Sequence, residues 1–204
     1  MTPPLPRLLL VTHRHLVPDL AQAVGRALEG APPGTAAVLL REKDLSGGPL
    51  LDLACRIGSL ARAAGAPWLV SDRADVAAAA GAAGVHLPER GLAPTDARRL
   101  LGAGAIVGRS VHWCPEETGT AGADYLLFGP VFPTPGKTAV GPEALAEVTA
   151  RSPLPVYAVG GITPERVPEV LAAGAAGVAC IRAVFGARDP AAATEALLAR
   201  LDVG

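Results

Sequence analysis

Two adjacent glycines between a short apolar run and a helix start can hold an anion, and this chain has them in PVYAVGGITPE, residues 155–165. Val156–Val159 reads as a strand. Gly160 and Gly161 end it and let backbone N–H groups approach a ligand closely. Thr163-Pro164-Glu165 then opens a helix, with Thr163 as N-cap and Pro164 at the first helical position. A helix start adds a positive dipole end, so the combination suits phosphate. Farther on, the apolar run Gly177–Ile181 leads into Arg182, a second strand end with a cationic donor.

A second set of residues could handle anions and protons. The C-terminal ends of the apolar runs carry, in order, His13, Arg41 and Lys43, Ser71 and Asp72, His86, Arg109, Ser110 and His112, and Thr134 and Lys137. A polar, cation-rich ring of this kind fits a small substrate bearing phosphate or pyrophosphate. His112 is the acid–base candidate, because imidazole titrates near neutrality. Plainer readings exist for several of these: Asp72 as an N-cap, Ser110 and Thr134 satisfying loop backbone, His86 bonding to backbone. Metal binding by histidine is poorly supported, since only His13 and His15 stand close, and in an extended chain they point opposite ways. Sixteen arginines stand against two lysines. Both lysines, Lys43 and Lys137, follow expected strands, which hints at a need for a compact point charge there.

These residues need a scaffold to bring them together. Apolar strand candidates are Leu8–Thr12, Ala36–Arg41, Trp68–Ser71, Gly84–Leu87, Ala105–Ser110, Tyr125–Gly129, Val156–Val159 and Gly177–Ile181. Helical stretches lie between and after them, at Leu20–Glu29, Leu50–Ala64, Asp75–Ala80, Thr95–Leu101, Pro115–Ala121, Glu143–Ala150, Pro164–Ala173 and Ala191–Leu201. Continuous apolar strands alternating with helices predict a parallel sheet. Eight such units predict an α/β fold of the (β/α)8 TIM-barrel type, one domain over residues 1–204, with an open doubly wound sheet as the alternative. Pro130–Pro142, rich in proline and glycine, is expected to cross the active face as a loop or lid.

Composition bounds the function. The net charge of −1 argues against a broad nucleic-acid or membrane footprint. No apolar run is long enough for a membrane span, and the N-terminus does not read as a secretion signal. Three cysteines, Cys55, Cys114 and Cys180, have no paired spacing and suit a reducing cytoplasm.

The segments LLREKDL (39–45), SDRADVA (71–77), GVHLPERGL (84–92), VGRSVH (107–112), GADYLLFGPVFPTPGK (122–137) and AVGGITPE (158–165) resemble the thiamine phosphate synthase superfamily, in the family's order and over most of the chain. The resemblance implies a barrel with one of two activities. Thiamine phosphate synthase joins an aminopyrimidine diphosphate to a thiazole phosphate with Mg2+. The TenI-type branch includes a thiazole tautomerase that aromatises a carboxythiazole phosphate by proton transfer without metal.

On the synthase pattern, Arg41, Lys43 and Lys137 match pyrophosphate-binding positions, Ser110 the serine before the loop histidine, and Asp72 one metal aspartate. Gly160, Gly161, Ile181 and Arg182 match the thiazole-phosphate loops, although serine is common where this chain has Arg182. Four positions depart: Leu39 replaces a pyrimidine-contacting glutamine, Ser71 an asparagine, Gly91 the second metal aspartate and Gly136 a threonine. HLPERG resembles the TenI-type turn, and VGRSVH places the tautomerase's catalytic histidine on His112. The expectation is therefore a tautomerase with no cofactor. Its phosphate would sit at Gly160, Gly161 and Arg182, and its carboxylate near Thr134. A Mg2+-dependent synthase, or a non-catalytic TenI-type regulatory protein, is the alternative. The expected partner is a small phosphorylated thiazole, not nucleic acid or membrane, in a cytoplasmic homodimer or homotetramer.

Overall fold

Eight parallel strands close into a barrel in sequence order: β1 (Leu8–Val11), β2 (Ala36–Leu40), β3 (Trp68–Ser71), β4 (Gly84–Leu87), β5 (Ile106–Val111), β6 (Tyr125–Phe128), β7 (Val156–Val159) and β8 (Gly177–Cys180). The computed structural model describes residues 5–112 and 119–202. The helices are α1 (Leu20–Glu29), α2 (Gly47–Ala63), α3 (Ala74–Ala80), α4 (Pro94–Leu101), α5 (Gly141–Arg151), α6 (Val167–Ala172), α7 (Arg182–Phe185) and α8 (Pro190–Leu201). The expected barrel is thus present, and its strands fall within a residue or so of their expected ends. Among the described residues no helix is long and apolar enough to cross a membrane.

The strands read as unbroken apolar runs because both of their faces are buried. Leu8, Leu10, Val38, Leu40 and Val70 pack outward against the helices. Leu9, Val11, Leu39, Leu69, Tyr125, Leu127 and Tyr157 fill the barrel. Register carries this alternation around the sheet: Val11 pairs with Leu39, Leu39 with Leu69 and Ser71 with His86.

Four local readings differ. The helix expected over Pro164–Ala173 is a 3-10 turn, Pro164–Arg166, followed by α6. Pro168 has no N–H to donate back to residue 164, so one continuous α-helix cannot form there. Thr163 is extended and makes no side-chain cap bond. Arg182, expected as a cationic donor after a strand, stands at the first position of α7, which at four residues is too short to show a helical period in sequence. The helix expected over Pro115–Ala121 lies mostly outside the described residues, as does Cys114, and its described end at Gly119–Ala121 is not helical.

The interior is filled by pairing large side chains with glycine. At Gly108 a Cβ would lie 2.2 Å from Tyr125 Cζ and 2.5 Å from His86 Nδ1. Gly108→Ala should therefore destabilise the barrel by about 1–3 kcal/mol through overpacking. In a chain of this size that lowers Tm by roughly 2–4 °C for each kcal/mol. A thermal unfolding curve unchanged by the substitution would contradict this account of the interior.

Candidate active site

The C-terminal ends of the strands surround a cavity of about 450 Å³. Its floor is the top of the apolar interior: Val11, Leu39, Leu127 and Ala179. Around it stand Arg41, Lys43, Ser110, His112, Thr134, Lys137, Gly160, Gly161, Ile181 and Arg182, so the candidates named from sequence converge on one mouth. Asp72 is not among the lining residues, nor is Arg109.

Arg41 and Lys43 are presented by a buried network that the sequence did not reveal. Glu42, between them, is only 4% exposed and turns toward β1. The Thr12 hydroxyl donates to Glu42 Oε1 at 2.6 Å and accepts the Arg41 N–H at 2.9 Å. The Arg14 N–H donates to Glu42 Oε2 at 3.0 Å. Alternation along the extended chain then leaves residues 41 and 43 facing the cavity while 42 anchors them.

The His86 ring bonds to two side chains rather than to backbone, the plainer of its two readings. Its Nδ1 lies 3.0 Å from Tyr125 Oη and its Nε2 lies 2.9 Å from Ser110 Oγ. Burial, with Arg41 and Arg109 adding to it, lowers its pKa to about 3. It is therefore neutral at physiological pH and does not exchange charge there. The His86 carbonyl accepts the Asp72 N–H at 2.8 Å. Asp72 follows β3 with φ of +67°, a conformation that aspartate tolerates better than most residues. Its side chain makes no N-cap to α3, whose N-cap is Arg73.

His112 has a carboxylate partner that the sequence reading passed over. Glu89 Oε1 accepts the His112 N–H at 3.0 Å, and Glu89 Oε2 lies 2.9 Å from His112 Nδ1. Burial alone would raise the Glu89 pKa, but the two hydrogen bonds from His112 outweigh it and hold it below its ordinary value. The pair sits at the rim, with the imidazole largely exposed. A carboxylate on Nδ1 fixes the ring's orientation and leaves Nε2 free for proton transfer. Arg109, expected among the cations of the mouth, instead folds back under this loop. Its guanidinium donates to the carbonyls of Glu89 and Leu92, and the side chain is 6% exposed. An arginine is long enough to leave its own strand end and serve a neighbouring loop.

The segment after β6 is tied down at its base. The Val131 N–H donates to Val159 O at 2.9 Å, the Phe132 N–H to Gly160 O at 3.1 Å, and the Gly141 N–H to Val131 O at 3.0 Å. Its tip is a turn, with the Lys137 N–H donating to Thr134 O at 3.1 Å. Gly136 has φ of +75°, and a type II turn needs such a residue after proline. That gives the replaced threonine position a geometric reason, and it aims Thr134 and Lys137 into the mouth together.

Packed against the base of this loop is the glycine turn after β7, the anion-site candidate of the sequence. Gly160 and Gly161 have φ of +97° and +63°. A Cβ on Gly160 would lie 2.4 Å from Pro130 Cβ, and one on Gly161 2.7 Å from Phe132 Cβ. Arg166 locks this turn by donating to Gly161 O at 2.7 Å while its guanidinium lies 4.5 Å from the centre of the Phe132 ring. The start of α7 brings a second set of backbone N–H groups beside Ile181, with the exposed Arg182 at its first position. Phosphate between the last two strand ends and a short extra helix is the common barrel arrangement.

No group of three or more His, Cys, Asp or Glu side chains among the described residues could hold a metal ion. A Cβ at Gly91 would lie 2.8 Å from the Pro88 ring, and the Gly91 N–H closes a turn on Pro88 O at 2.9 Å. A carboxylate at that position would require a different loop. Of the two metal carboxylates that the resemblance implies, only Asp72 remains, next to Ser71 of the cavity wall but not itself lining the cavity. This donor set does not fit an all-protein cage, but it fits a Mg2+ that shares its shell with substrate phosphate oxygens and water.

The comparisons with known proteins agree with this architecture. A family described as thiamine monophosphate synthase matches residues 8–184. A Geobacter sulfurreducens protein, provisionally named a thiamine-phosphate synthase, is 46% identical over 95% of this chain and 93% of its own length. The thiamine-phosphate synthase of Chlorobium limicola is 40% identical over 97% of this chain and 95% of its own. Among solved structures, a thiamine phosphate pyrophosphorylase from Pyrococcus furiosus superposes with a TM-score of 0.86 at 35% identity, covering 97% of this chain and 96% of that one. This chain belongs to the thiamine monophosphate synthase family.

Proposed function

We propose that this protein is a thiamine phosphate synthase, a transferase that joins an aminopyrimidine diphosphate to a thiazole phosphate and releases pyrophosphate. The observation that carries the reading is that three cations and two sets of backbone N–H groups line one cavity, more than a single phosphate needs. Arg41 and Lys43 reach it from the end of β2, Lys137 from the loop after β6, and the Gly160–Gly161 turn and the start of α7 from the ends of β7 and β8. A carboxythiazole phosphate brings one phosphoryl group and one carboxylate, whereas the two synthase substrates bring a diphosphate and a monophosphate, the larger anionic load that three cations and a glycine turn suit. The HLPERG turn points toward the TenI-type tautomerase. The relatives and the solved neighbour carry synthase or pyrophosphorylase names, and they support the synthase instead.

On this reading the chain acts mostly by position and charge. Arg41, Lys43 and Lys137 bind the diphosphate and stabilise the negative charge that grows on it as its bond to the pyrimidine's carbon breaks. A cation about 4 Å from a phosphate oxygen interacts by about 4 kcal/mol at an effective dielectric of roughly 20. Mg2+ bound by Asp72 and the diphosphate would add neutralising charge there. The Gly160–Gly161 turn and the α7 start hold the thiazole phosphate, so its ring meets the pyrimidine at a fixed angle. Val11, Leu39 and Leu127 keep water from the floor.

A second reading, the tautomerase, is favoured by one feature, the Glu89–His112 pair at the rim. Both readings are tested by one purified sample. With aminopyrimidine diphosphate and thiazole phosphate, the protein should form thiamine phosphate, and EDTA should abolish it. His112→Ala should leave that activity largely intact. EDTA-insensitive aromatisation of carboxythiazole phosphate, lost in His112→Ala, would establish the tautomerase in its place.

Two substitutions examine the cations and the glycine turn separately. Lys137→Ala should lower kcat/KM for the diphosphate by about 10²-fold or more without moving Tm, because Lys137 is exposed. Gly161→Val should raise KM for the thiazole phosphate far more than for the diphosphate, since a branched residue strains at φ of +63° and collides with Phe132. Equal losses for both substrates in Gly161→Val would count against a dedicated phosphate site.

A further inference from the structure

His86 links two hydroxyl groups, one deep in the barrel and one at the cavity wall. Tyr125 Oη lies 3.0 Å from its Nδ1 and Ser110 Oγ 2.9 Å from its Nε2. Tyr125 is 1% exposed and His86 4%. The glycine at position 108 gives them room, because any side chain there would overlap both. Burial, then Arg41 and Arg109, keep His86 neutral. Burial also pushes the Tyr125 phenol far above its ordinary pKa, so it stays protonated. A neutral imidazole carries one proton and has one acceptor nitrogen. Nδ1 is the hydrogen-bond partner of the Tyr125 hydroxyl. With the proton on Nδ1 that hydroxyl would be a buried donor without an acceptor, which is strongly disfavoured.

We infer that Tyr125 fixes the His86 proton on Nε2 and thereby makes the Ser110 hydroxyl a donor to an anionic oxygen of the bound diphosphate. The chain runs from Tyr125 O–H to Nδ1, from Nε2–H to Ser110 Oγ, and from Ser110 O–H into the cavity that Ser110 and His86 both line. Without Tyr125, the proton can move to Nδ1. Ser110 then donates to Nε2 and shows the cavity only lone pairs, which repel a phosphate oxygen. Tyr125 is thus a positioning residue that never touches substrate. The donor role rests on the synthase reading proposed above; the proton's place on His86 does not.

The test has two arms. In 15N-histidine-labelled protein, long-range 1H–15N correlation should show His86 with a protonated, pyrrole-like Nε2 and an unprotonated, pyridine-like Nδ1. Tyr125→Phe should shift proton occupancy toward Nδ1. In the second arm, calorimetry measures inorganic pyrophosphate binding in Mg2+ buffer. Ser110→Ala should weaken it by ~10- to 100-fold, as for loss of a hydrogen bond to a charged group. Tyr125→Phe should weaken it several-fold in the parent but have no effect in the Ser110→Ala background, which a general packing defect would not produce. A protonated Nδ1 in the parent protein, no pyrophosphate binding, or an equal loss in both backgrounds would overturn the inference. Both arms succeeding in a protein that makes no thiamine phosphate would uphold the relay and overturn the proposed function.

Discussion

Closing eight short parallel strands leaves an interior so narrow that every inward side chain must fit its neighbours around the ring. Tyr125 and Tyr157 fill it where glycine stands beside them, Gly108 next to Tyr125 and Gly177 next to Tyr157. Leu9, Leu39 and Leu69 fill the other side. The interior is closely packed, and its polar groups gather where it ends. Everything chemical in this protein stands on that apolar plug. His86 marks the boundary, with one nitrogen on a core tyrosine and the other on a serine of the cavity wall.

Above the plug, the loops are held by polar contacts that cross from one βα unit to the next. Thr12 after β1 fixes the loop after β2 through Glu42. Arg109 of β5 holds the carbonyls of the loop after β4, and Glu89 of that loop holds the segment after β5. Val131 and Phe132 tie the loop after β6 to β7. The loops that carry Arg41, Lys43 and His112, and the base of the loop that carries Thr134 and Lys137, are therefore held by a neighbouring unit as well as by their own strands. Oriented backbone and charge of this kind can act on a diphosphate without reorganising during the reaction.

The barrel was legible in the sequence because strands buried on both faces appear as unbroken apolar runs, such as Leu8–Val11 and Tyr125–Phe128. The cavity residues were legible because they follow those runs directly. What sequence could not show is who holds whom. Thr12 and Glu42 are thirty residues apart, and Glu89 and His112 twenty-three. Neither pair has a local signal, although a carboxylate in the loop beside a candidate catalytic histidine could have prompted the second. Arg109 was misread for the same reason: its position at a strand end says nothing of where a long side chain turns. The four-residue α7 was below the length at which periodicity speaks.

The loop after β4 shows how one barrel can serve two chemistries. In the Pro88–Gly91 turn, proline and glycine pack so closely that a carboxylate at 91 has no room, while Glu89 is drawn toward His112. The turn thus has glycine where the resemblance implies a metal carboxylate, and its one acid, Glu89, partners His112. Metal support and proton transfer compete for this loop, because one short turn cannot aim its acid both ways. The cations of β2 and of the Thr134–Lys137 turn do not share in that competition. They are positioned by Thr12, Glu42 and Gly136, which the loop after β4 does not touch. The placement of these cations therefore does not depend on whether the loop after β4 carries a carboxylate at position 91.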